Sequence, residues 1–154
     1  YIESRLKFSP YIRDAATLGG KELPFVSALI AIDYANVGHW AERNRLAYTT
    51  FVDLSQKPEV YDLIQKEIER VNSRLPPRAK VKKFSNLHKE LDPDEAELTR
   101  TWKLRRGFVE EKFKETRDAI YGDKSEFVVE GEVRYQDGRK GVISATVKVR
   151  TIST

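Results

Sequence analysis

Apolar residues recur with two different periods along this 154-residue chain, and the switches between them divide it into helices and strands. Ile2 and Leu6 share a helical face that Pro10 ends, and residues 12–18 read as a short strand closed by Gly19-Gly20. The longest apolar run, 25–32 (FVSALIAI), lies between Pro24 and Asp33, and its length and flanks suit a buried central strand better than a helix. Asn36 is expected to cap a helix carrying Val37, Trp40 and Ala41 on one face, whereas 48–54 fits neither period cleanly. Ser55 is expected to cap the clearest helix, with Val60, Leu63, Ile64, Ile68 and Val71 at helical spacing and Pro76-Pro77 as its stop. Residues 80–87 (KVKKFSNL) then read as a strand with an exposed basic side, and 91–97 (LDPDEAE) as an acidic loop. A last helix over about 105–121 has Phe108, Val109, Phe113, Ala119 and Ile120 to bury and Gly122 as its end.

The tail changes character. Phe127, Val129, Val133 and Tyr135 alternate with Val128, Glu130, Glu132 and Arg134, and a second alternating run covers 143–150, which together predict a β-hairpin. A turn centred on 137–140 (DGRK) would set Val133 opposite Ala145, Val129 opposite Val149 and Glu130 opposite Lys148, leaving one apolar face. That face needs a cover, because an isolated hairpin is marginal in water. The predicted class is α+β: a small mixed sheet flanked by helices, with the hairpin as a C-terminal extension. No internal repeat or low-complexity segment interrupts this order.

With 40% hydrophobic and 34% charged residues, the length fits one globular core. No apolar run approaches the roughly 20 residues that span a bilayer, and no charged start leads into a secretory-type apolar stretch. Zero cysteine rules out disulfides, thiolate metal sites and a cysteine nucleophile, and fits a cytosolic setting. The chain has no methionine and opens inside a helical pattern, which is the expectation for an excised piece of a longer protein. Its net charge of +4 is too mild an excess to name a partner.

Few constellations carry chemistry. Asp92, Asp94, Glu95 and Glu97 lack the glycine and terminal glutamate of a calcium loop, so they read as a solvated turn. His39 and His88 have no metal-like neighbours, and no metal site is expected. Gly19-Gly20-Lys21 lacks the spacing of a phosphate loop and reads as a turn. Lys80, Lys82 and Lys83 form a basic strand edge that either wards off strand addition or meets an anionic ligand. Trp102, among Arg100, Lys103, Arg105 and Arg106, either packs or stacks on a base. Lys103 is the best chemical handle, presented where the acidic loop passes into a helix. No self-sufficient catalytic set accompanies it, so a partner domain would have to complete any active site.

Five blocks, in order, carry a resemblance: YIESRLKFSPYIRDA from Tyr1, FVSALIAID followed by NVGHWAE from Asn36, FVDLSQKPEV from Phe51, NLHKELD from Asn86, and ELTRTWKLRRGFVEEKF from Glu97. Residues 1–122 thereby resemble the mobile C-terminal (lid) domain of adenylate-forming enzymes, in the long-chain acyl-CoA synthetase branch. The resemblance implies a fatty acid–CoA ligase in which a conserved lysine, matching Lys103, enters the active site during adenylation. ATP and coenzyme A would be substrates of the intact enzyme, with Mg2+ carried on ATP and not bound by this domain. The lid's partner would be an N-terminal adenylation domain of the same polypeptide, holding the ATP-phosphate loop and fatty-acid tunnel, with the hinge and a glycine-containing loop just upstream of Tyr1. The parent would be cytoplasmic, with peripheral membrane contact as an option. Trp102 stands where the wider superfamily has glycine, and Arg100 where the branch often has proline, which leaves the shape of the lysine loop open. Residues 123–154 fall outside the family core and are expected to pack on the lid; coenzyme A contacts stay unassigned. The competing reading is a small basic module that binds nucleic acid or another anion through Lys80, Lys82 and Lys83 with Trp102 and Arg105.

Overall fold

The structure, a computed structural model, describes residues 2–19, 23–89, 113–134 and 140–152. Five α-helices are among these residues: α1 (Ile2–Leu6), α2 (Tyr34–Arg43), α3 (Phe51–Ser55), α4 (Pro58–Asn72) and α5 (Lys114–Tyr121). The strands are β1 (Ile12–Leu18), β2 (Val26–Ile32), β3 (Val81–Asn86), β4 (Glu126–Arg134), β5 (Lys140–Lys148) and β6 (Arg150–Thr151). One sheet has the order β1-β2-β3-β6, with β2 and β3 parallel and the outer pairs antiparallel; β4 and β5 form a separate hairpin. The fold is the expected α+β class with a small mixed sheet and a C-terminal hairpin.

The apolar run on β2 has its cause in this order. From Ser27 to Ile32 every residue is buried, since the strand is flanked by β1 and β3 and covered on both faces. A parallel partner requires a crossover, and α2, α3 and α4 supply it between β2 and β3. One core cluster joins Leu6, Ile12, Ile30, Val37, Leu54, Ile64, Ile68 and Phe84; on the other side of the sheet Ala16, Leu18, Leu29, Ala31, Leu87, Phe113, Ile120 and Val149 form a second.

Several local expectations are corrected. The cap of α2 is Asp33, whose side chain accepts from the Asn36 N–H at 3.0 Å, while the Asn36 amide instead donates to the Pro10 carbonyl at 2.7 Å. Ser55 does not cap α4: it ends α3, which Thr50 caps, and α4 starts at Pro58 behind Lys57. Proline at the first helical position has no N–H to satisfy and a preset φ, so it fixes that start. Gly122 does follow α5, but at φ −96°; the left-handed residue is Asp123 at φ 62°. What demands glycine is space, because a Cβ there would lie 2.7 Å from the Asp118 carbonyl oxygen.

The hairpin register also differs. Glu126 pairs with Lys148, Phe127 with Val147 and Val129 with Ala145, so the partners are displaced by four residues from the predicted pairing. An even-numbered shift preserves the faces, which is why alternation alone could not fix it. The second alternating run is moreover not one strand: after Lys148 the chain passes into the main sheet, where Thr151 pairs with Lys83 and Arg150 with Phe84. Lys82 and Lys83 therefore do not lie on an open edge, since β3 has β2 on one side and, at these residues, the β6 segment on the other, while Lys80 precedes the strand.

Candidate functional site

Lys103, with Trp102, Arg100, Arg105 and the acidic residues Asp92, Asp94, Glu95 and Glu97, lies outside the described residues, which stop at Lys89 and resume at Phe113. Their flanks are firmly placed. The Leu87 N–H continues the sheet by donating to the Ile30 carbonyl at 2.8 Å, and the His88 ring meets the Phe113 ring edge-on with centroids 5.8 Å apart. Phe113 is itself buried in the second core cluster. Both ends of segment 90–112 are thus held at one place, where β3 finishes and α5 begins.

Beside that place lies a buried polar hub that the sequence did not announce. The Gln56 amide donates to the Asn86 carbonyl at 2.8 Å, and its Oε1 accepts from the Lys148 N–H at 2.9 Å and from the Tyr61 hydroxyl at 3.0 Å. The Tyr61 oxygen accepts from the Asn86 N–H at 3.0 Å and lies 2.8 Å from the Lys148 carbonyl, which also accepts from Ser85 Oγ at 2.7 Å. Asn86 Nδ2 donates to the Ser55 carbonyl at 3.0 Å. Helices α3 and α4, the end of β3 and the end of β5 meet here through groups that would each be costly to bury alone. Burial pushes the Tyr61 phenol up to about 12, against smaller opposing effects of its hydrogen bonds and of Arg150. It stays protonated at neutral pH, so its role is structural. Only Gln56 beside an apolar helix start, and Tyr61 and Asn86 inside otherwise apolar or strand patterns, could have hinted at the hub.

An open groove of about 730 Å³ runs past this hub, with Thr50, Lys57, His88, Lys89, Thr146 and Lys148 among its walls. Three of these residues are lysines at the base of segment 90–112, with Lys57 held 3.5 Å from Asp53. Its walls also include Phe51, Val52, Pro58, Ala145 and the acidic Asp53, so the lining is mixed and names no ligand by itself. Elsewhere, Lys83 is committed: 14% exposed, it bonds the Ile120 carbonyl at 3.3 Å and Asp123 at 3.1 Å and lies over the Phe25 ring. That engagement removes one of the cations on which an anion-binding strand edge would depend. His39 is exposed on α2 and lines a shallow hollow with Arg13, Asp33, Glu42 and Tyr48; among the described residues no cluster has the makings of a metal site. Gly19 follows β1, where a Cβ would lie 3.2 Å from Val26 Cγ2, while Gly20 and Lys21 lie outside the described residues.

No family model matches the chain. It is 32% identical over 121 residues to the long-chain-fatty-acid–CoA ligase FadD15 of Mycobacterium tuberculosis, and equally to that of Mycobacterium bovis. The match takes in 78% of this chain and 20% of the ligase, so the chain spans about a fifth of the length of these curated relatives. Among solved structures, it resembles the adenylation domain of a carboxylate reductase from Mycobacterium chelonae with a TM-score of 0.59 and 19% identity, over 79% of this chain and 17% of that one. The didomain of a carboxylic acid reductase from Segniliparus rugosus in complex with AMP gives 0.58 at 12% identity, over 79% and 15%. These structural likenesses concern the fold.

Proposed function

We propose, on the premise that this chain is homologous to part of a long-chain-fatty-acid–CoA ligase and so belongs with the adenylate-forming enzymes, that it is their C-terminal lid. Residues 1–122 form the lid proper, and 123–154 are an extension packed on it. The observation that carries this reading is the 32% identity over 121 residues. The shared location of the two ends of segment 90–112 supports it further, because a residue on a segment anchored at one base can be presented to a facing domain.

In this reading the intact enzyme joins a fatty acid carboxylate to the α-phosphate of ATP, releasing pyrophosphate, and the thiol of coenzyme A then displaces AMP. The Mg2+ that accompanies ATP is held with the nucleotide on the large domain. Lys103 acts in the first half. Carboxylate and phosphate repel one another, and an ammonium between them offsets the charge that gathers on oxygen as they meet. At about 4 Å such a charge pair is worth on the order of 4 kcal/mol at an effective dielectric near 20. Lysine's long stem lets the head group reach across a cleft and leave when the lid rotates, which ties it to one half-reaction.

A chimera tests the assignment. The M. tuberculosis ligase is truncated by its matched segment and then completed with residues 1–154 of this chain. Restored acyl-adenylate formation, followed by thioester formation with coenzyme A, is the expected result. A folded chimera that stays as inactive as the truncated ligase would remove the assignment, and thioester formation only with an acceptor other than coenzyme A would confine it to adenylation.

A further inference from the structure

On the side of the molecule formed by α1 and the last turn of α4 lies an open groove of about 390 Å³. Its floor is Phe8, Val71 and Leu75, and its rim is Arg5, Arg70 and Arg74; none of these lining residues is acidic. Phe8 is 79% exposed, an unusual position for an aromatic ring that has apolar neighbours to pack on. Two of the charges near the rim have partners that the structure places. Lys7 is drawn to the buried Asp14 at 3.6 Å, and Glu67 is bound by a single nitrogen of Arg70, Nη1, at 3.2 Å. The Arg74 guanidinium enters no ion pair among the described residues.

An apolar floor under a guanidinium rim selects for two properties at once. A small inorganic anion gains nothing from Phe8, Val71 and Leu75, and a neutral aliphatic molecule gains nothing from the arginines. A planar guanidinium fork matches a carboxylate with two parallel hydrogen bonds, and the volume falls in the range of about 300–1,000 Å³ common to small-ligand sites. We propose that this groove binds a single-chain amphipathic carboxylate, its aliphatic tail on Phe8, Val71 and Leu75 and its head on Arg70 and Arg74. The proposal does not rest on the lid reading, because occupancy of the groove is read by binding alone.

The test is calorimetric titration of the 154-residue chain with monomeric dodecanoate, below its micellar concentration. Dodecanol supplies the tail without the charge, and acetate the charge without the tail. One saturable site for dodecanoate is expected, with dodecanol and acetate each weaker by about tenfold or more, the scale of one lost charge-assisted bond or a few buried methylenes. Arg74→Gln and Phe8→Ser, both at exposed positions, should each weaken dodecanoate by about tenfold while far-ultraviolet circular dichroism stays unchanged. Equal affinity for dodecanol, indifference to both substitutions, or association only with phosphatidylglycerol vesicles and not with monomeric dodecanoate would each overturn the proposal.

Discussion

The two faces of the four-stranded sheet are sealed by parts of the chain on opposite sides of segment 90–112. One face is closed by α1, α2 and α4, all earlier in sequence, through a continuous cluster that includes Ile64, Ile68 and Phe84. The other is closed by α5 and the base of the hairpin, through Phe113, Ile120 and Val149. The first face is larger and, apart from Ile152, drawn from residues before segment 90–112; the second is smaller and covered largely by residues that return after it. The difference shows what the second face holds in place. It fixes both flanks of the segment, through Leu87 and Phe113, and the hub at Gln56 and Tyr61 ties the same place to the hairpin.

Substitutions can break this comparison or sharpen it. Phe84→Ala removes a fully buried ring from the first face and should cost about 3–5 kcal/mol in urea denaturation. Ile120→Ala, in the second, should cost about 2–4 kcal/mol. The sharper readout is hydrogen exchange: Ile120→Ala should lower protection in β4 and β5 while β1 and β2 keep theirs. Equal loss in both sheets would mean that the two faces open as one unit, and the contrast would be lost.

The smallest effect should come from the hub. Tyr61→Phe keeps the ring but leaves the Asn86 N–H without its acceptor, at a cost of about 1–3 kcal/mol. It also predicts a pH dependence whose sign follows from the raised pKa. An unfolded tyrosine ionises near its ordinary value of 10.0, while the buried phenol holds its proton to about 12. The stabilisation is therefore complete below pH 10 and is lost as the pH rises from 10 toward 12. Thermal melts of the parent should show that alkaline loss, and Tyr61→Phe should lack this component; identical alkaline slopes in both proteins would mean that the phenol is not buried in solution.

Much of the first face was legible in the sequence. The bounds of β1, the buried run on β2 and the apolar stripe of α4 follow from periodicity, because in each case the packed neighbours are continuous and the pattern has no competitor. Where geometry is set by single contacts, the sequence was weaker. Asp33, not Asn36, caps α2, and Pro58 rather than Ser55 sets the start of α4. The hairpin register differs by four residues because Glu126 opposite Lys148 and Glu130 opposite Lys148 satisfy the same alternation. The second face was hardest to foresee. Lys83 looked like an exposed edge charge, yet its partner, Asp123, lies forty residues away, held at a backbone turn that periodicity does not reveal. Of the candidate site, residue types and order pointed to Lys103, while the hub that braces the segment's base had almost no local signature.

The central claim is that Lys103 serves adenylation and not thioester formation. Its most direct measurement is a pair of rates in the chimeric ligase carrying Lys103→Ala: formation of acyl-adenylate from fatty acid and ATP, and attack of coenzyme A on acyl-adenylate supplied ready-made. The account predicts that the first falls by roughly two or more orders of magnitude while the second is little changed. An equal fall in both rates, or no fall in the first, would contradict it.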